Sequence, residues 1–497
     1  MEEYGTVKKV GLVLGPALFL LLLLMTPPEG MKPEAMRVAA VTVLMAVWWI
    51  TEAVPIPAAS LLPIILYPAL GIMKSGAATA PYANPTIYLF IGGFFVAVAM
   101  EKWNLHKRIA LYTIKFVGAS PSLMTLGFML STGFMSMWVS NTACAMMMVP
   151  IGLAVVTQVT GKTSADILSG STGKFEMNFA KGLMLGIAYA ASVGGIATII
   201  GTPPNTIMVG MMDSMYGVKI SFAQWLIFGV PMAFLMLFLT WLLLTKLLFK
   251  TGDLKLAEGR HVIEEEIKHL GAMSKGEKMV MGVFVFVAVA WIAGSFVDIA
   301  YIDDTTIAIF GTLLMFLLPV DFKKGIFVLD WKTAVKIPWD IVLLFGGGFA
   351  IAKGFAQTGL ADWISSRLTS LEGIGLIGFV TIVTLLVIFL TEVTSNTATA
   401  TLMVPIMGSA AVAMGVHPFA TIIAACLAAS FAFMLPCATP PNAIVFSSGA
   451  IRIVDMVKAG VWLNFIGAAV IVSFVVYLLP ILWGVDLGVV PEWAIGK

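Results

Sequence analysis

The sequence predicts an all-α polytopic membrane protein made of two inverted-topology repeats, with about 11 transmembrane helices and two re-entrant hairpins. Three observations predict it. The 497 residues are 60% hydrophobic and only 11% charged, against about 25% charged in soluble domains. Apolar residues fall in repeated runs of roughly 17 to 25, the length that crosses a ~30 Å hydrocarbon core. Blocks of polar, helix-breaking residues recur in the same order in the two halves of the chain.

The elements follow in order. Val10 to Met25, behind Lys8 and Lys9, lacks a small-residue cleavage site and reads as a retained first span within residues 1–35. Further spans lie near 36–51, 54–72, 84–101, 180–200, 223–249, 279–299, 304–320, 339–355, 419–437 and 459–483. Two pairs of apolar segments, about 122–158 and about 374–415, are each interrupted by Ser-Asn-Thr and read as hairpins. Glu101 to Val117 mixes Trp103, Tyr112 and Phe116 with Lys107, Arg108 and Lys115, which suits a helix lying in the interface, and Ala356 to Ser370 is its counterpart. Residues 251–278 are the long polar stretch and read as a cytoplasmic connector, and 484–497 form a C-terminal tail. A cytoplasmic N-terminus and eleven crossings put 22 of the 29 cationic residues inside and the C-terminus outside.

The repeat shows in several blocks. Leu89 to Phe94 matches Leu344 to Phe349, Ser140-Asn141-Thr142 matches Ser395-Asn396-Thr397, and Met148 to Ile151 matches Met403 to Ile406, all at an offset of 255. Thr202-Pro203-Pro204-Asn205 matches Thr439-Pro440-Pro441-Asn442 at 237, so the first half has a longer connector around Gly161 to Phe175. The halves, 36–250 and 279–483, each cross an odd number of times and must face opposite ways. Matched helix breaks in inverted halves point to a secondary transporter with a binding site near the midplane.

Non-helical backbone at membrane depth is tolerated only when buried in protein or lining a watery cavity. Ser140 and Ser395 are suited to cap the second hairpin arms, whose unpaired N–H groups and positive dipole ends would face an anion. Proline pairs fit only at a helix start and leave carbonyls such as those of Gly201 and Ala438 free to hold a cation. Two opposed anion sites suit a small dianion such as a dicarboxylate, and coupling cations would supply the charge that neither hairpin carries as Lys or Arg. Glu392 is either a proton-linked group or a satisfied carboxylate at a hairpin shoulder; Glu52 reads as an anchor of a helix end.

Composition also limits other classes. A net charge of +2 provides no basic field for nucleic acid. Cys144, Cys426 and Cys437 sit in apolar surroundings, and His106, His261, His269 and His417 form no ligand-spaced pair, so neither a disulfide framework nor a Cys/His metal site is expected. No HExxH or nucleophile–base constellation is present, so an enzyme is not expected. Gly161-Lys162-Thr163 resembles the end of a phosphate loop, but Val156 holds its earlier glycine position, and two opposed repeats suit alternating access better than a channel.

The two SNT tips, GTPPN at 201–205, ATPPN at 438–442, EAVPIP at 52–57 and LFGGG at 344–348 resemble the divalent anion/sodium symporters, the INDY-like dicarboxylate transporters, from about Ala35 to Pro480. The resemblance implies sodium as the coupling ion with no other cofactor, and a homodimer in the cell membrane whose transport domains move by an elevator motion. It implies substrate contacts at Asn141, Thr142, Asn396, Thr397, Thr439 and Pro440. It implies a first sodium site at Ser136, Ser140, Asn141 and Gly201, and a second at Thr391, Ser395, Asn396 and Ala438. The expected activity is sodium-coupled import of succinate, fumarate or malate; a dicarboxylate exchanger, or a tricarboxylate or sulfate carrier, is the alternative within the family.

Overall fold

The computed structural model describes residues 5–117, 120–161, 173–251, 257–294, 301–368 and 374–495, almost all of them helical. Among the described residues, 8 helices are long and apolar enough to cross a bilayer, and shorter apolar helices cover Ile56–Ala69, Asp304–Leu317, Gly375–Thr391 and Pro418–Ala428. Each of the eleven expected spans contains helix; that at 279–299 is helical to Gly294, and its remainder lies outside the described residues. The first, Thr6–Leu24, packs antiparallel on Pro33–Thr51, with Gly11 against Thr51 and Gly15 against Trp48. Its outer face presents Leu20, Leu21 and Leu24 unburied, as a lipid-facing helix does.

Several spans differ from their expected form. The 54–72 run is two helices, Ile56–Ala59 and Leu62–Ala69, because Pro63 cannot donate a backbone bond where a continuous helix would need one. The Tyr82 hydroxyl then donates to the freed Ser60 carbonyl at 2.5 Å. The 304–320 run ends at Leu317, and Pro319–Asp321 pairs antiparallel with Ile326–Phe327 in a small ribbon. The spans at 180–200 and 419–437 are helical only to Gly195 and Ala428; the chain then unwinds until the proline pairs start Pro203–Tyr216 and Pro440–Ser447. The long connector of the first half falls largely on 162–172, and part of the central connector on 252–256, outside the described residues.

The paired apolar segments form helical hairpins, Pro121–Ser136 with Asn141–Thr160 and Gly375–Thr391 with Asn396–Ala413. The first packs on Lys174–Gly195 so closely that a Cβ on Gly194 would meet the backbone of Gly133. Such small-residue contacts let backbones approach where lipid offers no hydrophobic drive between helices. A separate small core joins Pro33–Thr51 to Trp339–Thr358 through Val41, Met45, Trp49, Tyr67 and Ile351.

The interfacial helix is Leu105–Val117, and one charged pair staples it down. Arg108 Nε donates to Glu277 Oε1 at 2.7 Å, and its other nitrogens donate to the Gly271 and Leu270 carbonyls. The two side chains are 10% and 5% exposed. Removing one member of such a pair leaves the other buried and unpaired, at a cost of about 3–5 kcal/mol. Arg108→Ala should therefore lower Tm in detergent by several degrees, and an unchanged Tm would show that the staple does not hold the helix.

Candidate functional site

The two hairpin tips meet at one cavity. It has a volume of about 1070 Å³ and takes Ser140, Asn141 and Thr142 from the first tip and Ser395, Asn396 and Thr397 from the second. Thr202 and Pro203 of one proline-started helix, and Thr439 and Pro440 of the other, complete the same wall. Four helix N-termini thus face one space, those of Asn141–Thr160, Pro203–Tyr216, Asn396–Ala413 and Pro440–Ser447. The two hairpin tips add N–H groups to the positive ends of their helices, whereas the two proline pairs have no N–H and contribute only the helix dipole; all four favour an anion. Phe90, Phe94, Ile341 and Leu344 add apolar lining, and Lys8, Glu52 and Asp340 add charged lining.

Behind each tip the helices end rather than begin, and oxygens collect. Ser136, at the end of its arm, places Oγ 2.5 Å from Asn141 Oδ1 and 2.7 Å from the Ala191 carbonyl. Thr391 does the same in the other half, with Oγ1 2.7 Å from Asn396 Oδ1 and 2.9 Å from the Ala429 carbonyl. Each hydroxyl lies between a side-chain amide and a backbone carbonyl, so polar oxygens crowd together in each cluster. An oxygen-rich cluster at the negative ends of helices is of the kind that suits a hard cation. Gly201 adds its backbone to the first cluster. A Cβ on Gly195 would lie 2.7 Å from Asn141 Oδ1 and 3.1 Å from the Gly201 carbonyl oxygen, and one on Gly201 would lie 3.0 Å from the Ser136 carbonyl oxygen.

All the expected site residues lie on or directly behind the cavity wall. Asn141, Thr142, Asn396, Thr397, Thr439 and Pro440 line it, as do Ser140, Gly201, Ser395 and Ala438. Ser136 and Thr391 are fully buried beneath the tips. The caps differ: Ser140 Oγ accepts from the Ala143 N–H at 3.3 Å, whereas the Ser395 side chain makes no cap bond. Ser395 lines the cavity, and its carbonyl alone receives the first helical bond, from the Thr399 N–H.

Two features were not legible in the motifs. The asparagines of the TPPN blocks support the unwound backbone. Asn205 Nδ2 donates to the Ile196 and Thr198 carbonyls, and Asn442 Nδ2 to those of Ala432 and Leu435, all at 2.8–3.0 Å. Glu392 accepts from the Phe433 and Met434 N–H groups and from Asn464 Nδ2, at 2.8–3.1 Å. Of the two expectations for it, a satisfied carboxylate at the hairpin shoulder matches these bonds. Glu52 follows Pro33–Thr51 in the left-handed conformation, φ 48°, and stands 3.8 Å from Lys8, an anchor between the first two helices on the cavity lining. No group of three or more His, Cys, Asp or Glu side chains that could hold a metal occurs among the described residues.

The family model for the sodium:sulfate symporter transmembrane region matches residues 6–485. The chain belongs to this sodium:sulfate symporter family. Relatives include the sodium-dependent dicarboxylate transporter SdcS of Staphylococcus saprophyticus, 43% identical over 492 residues and covering 98% of this chain and 94% of that one. SdcS of Staphylococcus aureus is 45% identical over 493 residues, with the same coverage. Two solved structures share the fold. Neisseria gonorrhoeae MtrF, described with a class of antimetabolite efflux pumps, has a TM-score of 0.55 at 13% identity over 93% of this chain and 94% of its own. The Alcanivorax borkumensis YdaH transporter has a TM-score of 0.53 at 12% identity over 89% and 98%. As a member of this symporter family the chain is a multi-pass membrane transporter and not an enzyme.

The oxygen cluster behind the first tip yields a direct check. Gly195→Ala puts a methyl group among Asn141 Oδ1 and the Gly201 carbonyl. The variant should lose more than about half of the rise in Tm that sodium chloride produces over choline chloride. A rise equal to wild type would place the cation elsewhere.

Proposed function

We propose that this protein is a secondary active transporter that imports four-carbon dicarboxylates such as succinate, fumarate or malate in symport with sodium. One observation carries the reading: four helix N-termini face a single cavity, and an oxygen-rich helix end lies directly behind each hairpin tip. The substrate's two carboxylates pair with the two tips through Asn141, Thr142, Asn396 and Thr397, with Thr439 and Pro440 beside the second. Sodium binds among Ser136, Ser140, Asn141 and Gly201 in one half and among Thr391, Ser395, Asn396 and Ala438 in the other. The SdcS relatives, named for sodium-dependent dicarboxylate transport, support the choice of ion and substrate class.

Coupling follows from shared residues and from charge. Asn141 and Asn396 each present a side chain to the cavity while their amide oxygens reach the clusters behind. A bound cation fixes the amide and adds a full positive charge next to a site otherwise built from partial charges. Substrate affinity therefore rises with sodium, and sodium affinity with substrate, by the same factor.

The same reading divides the chain into a first span at 1–35, repeats at 36–250 and 279–483 joined by 251–278, and a tail at 484–497. The family resemblance supports a homodimer in the cell membrane, with the hairpins and broken helices moving as an elevator against the helices that carry Phe90 and Leu344. The distribution of Lys and Arg supports a cytoplasmic N-terminus and an external C-terminus.

Uptake of labelled succinate into proteoliposomes should require an inward sodium gradient, with weak competition by citrate and sulfate. Uptake that depends instead on internal dicarboxylate would make the protein an exchanger, and dominant competition by citrate or sulfate would reassign the substrate. Asn141→Ala and Asn396→Ala should each raise the half-saturating concentrations of both sodium and succinate by about tenfold. Thr142→Val and Thr397→Val should act mainly on succinate, so a pure sodium effect in them would displace the threonines from the substrate site.

A further inference from the structure

The unwound segment 196–202 is tied to the first hairpin by one side chain outside both ligand sets. Thr198 is fully buried; its Oγ1 donates to the Met137 carbonyl at 2.6 Å and accepts from the Gly201 N–H at 3.0 Å. Met137 directly follows Ser136, and Gly201 is the backbone member of the same oxygen cluster. One hydroxyl thereby fixes two sides of that cluster. The peptide donor of Gly201 is held, and the carbonyl of the residue after Ser136 is occupied, so neither is free to turn toward a cation.

The other half makes the same tie with the partners exchanged. The residue 255 positions after Met137 is Glu392, and the residue 237 after Thr198 is Leu435, which has no hydroxyl. There the shoulder supplies the side chain and the unwound segment the backbone, as the Phe433 and Met434 N–H groups donate to the Glu392 carboxylate. A bond between hairpin shoulder and unwound segment thus recurs at corresponding places although the chemistry differs. That recurrence argues for a requirement of the site rather than an accident of packing.

We propose that Thr198 is a positioning residue for the first cation site: its hydroxyl holds the Gly201 backbone against the hairpin shoulder so that the oxygens of Ser136, Asn141 and Gly201 converge. This rests on the reading of that cluster as a sodium site. The hydroxyl touches neither ligand and acts through Gly201 and Met137. Its loss lowers sodium affinity while leaving the substrate contacts at saturating sodium intact.

Sodium and succinate titrations of uptake in proteoliposomes test it with three variants. Thr198→Val, which keeps the shape and removes both bonds, should raise half-saturating sodium about three- to tenfold. Maximal uptake and half-saturating succinate at saturating sodium should stay within about twofold. Thr198→Ser, which keeps the hydroxyl, should restore the wild-type sodium response, and Thr198→Cys, a weaker donor, should fall between. An unshifted sodium curve in Thr198→Val, or a shift in Thr198→Ser as large as in Thr198→Val, overturns the proposal; should the valine variant not assemble, an unshifted curve in Thr198→Cys does so. Wild-type uptake indifferent to sodium would overturn the transport reading instead. In that event the sodium titration of Tm, which needs no substrate, still decides: an undisplaced midpoint in Thr198→Val refutes the role of Thr198.

Discussion

A helix interrupted inside a hydrocarbon layer exposes amide and carbonyl groups that lipid cannot satisfy, and every interruption in this protein must answer to that constraint. The unwound segments 196–202 and 429–439 would each leave several groups bare. Asn205 and Asn442 cover two carbonyls apiece, Thr206 covers that of Ile199, and Trp225 donates to that of Ile196. Tyr189 donates to the Phe433 carbonyl, Glu392 accepts from the Phe433 and Met434 N–H groups, and Thr198 accepts from the Gly201 N–H. The fold spends its buried polar side chains on stabilising breaks, and the binding site is made of what they leave open.

Helix direction then sorts the ligands. Helices that begin at the cavity present a positive end, with N–H groups at the two hairpin tips and none at the proline pairs, and helices that stop behind the tips present carbonyls and a negative end. On the proposed function, an anion in front and cations behind are two consequences of one geometry, repeated in each half. The arrangement explains how a chain with 11% charged residues can hold a dianion. Of the side chains lining the cavity, the cation Lys8 is paired with Glu52.

Much of this was legible in the sequence because hydropathy, helix breakers and an internal repeat are local signals. Hairpin arms, proline-started helices and the Ser140 cap are set by neighbours within a few residues, and they lie where the pattern put them. Partners distant in sequence were not legible. Nothing near Thr198 points to Met137, and nothing in TPPN says that its asparagine serves the chain 7 to 10 residues earlier. Glu392 could be read two ways until Phe433, Met434 and Asn464 were seen to donate to it. Ser395 shows the reverse limit, since a good capping residue at the right position leaves its hydroxyl uncommitted when the cavity lies beside it.

The central claim is that neutral groups bind the dianion only once cations stand behind them. Calorimetric titration of succinate into the purified protein, in sodium and in choline buffers of equal ionic strength, measures this without any flux. The account predicts a dissociation constant at least about tenfold lower in sodium, a coupling of about 1.4 kcal/mol or more. Equal constants in the two buffers would contradict it.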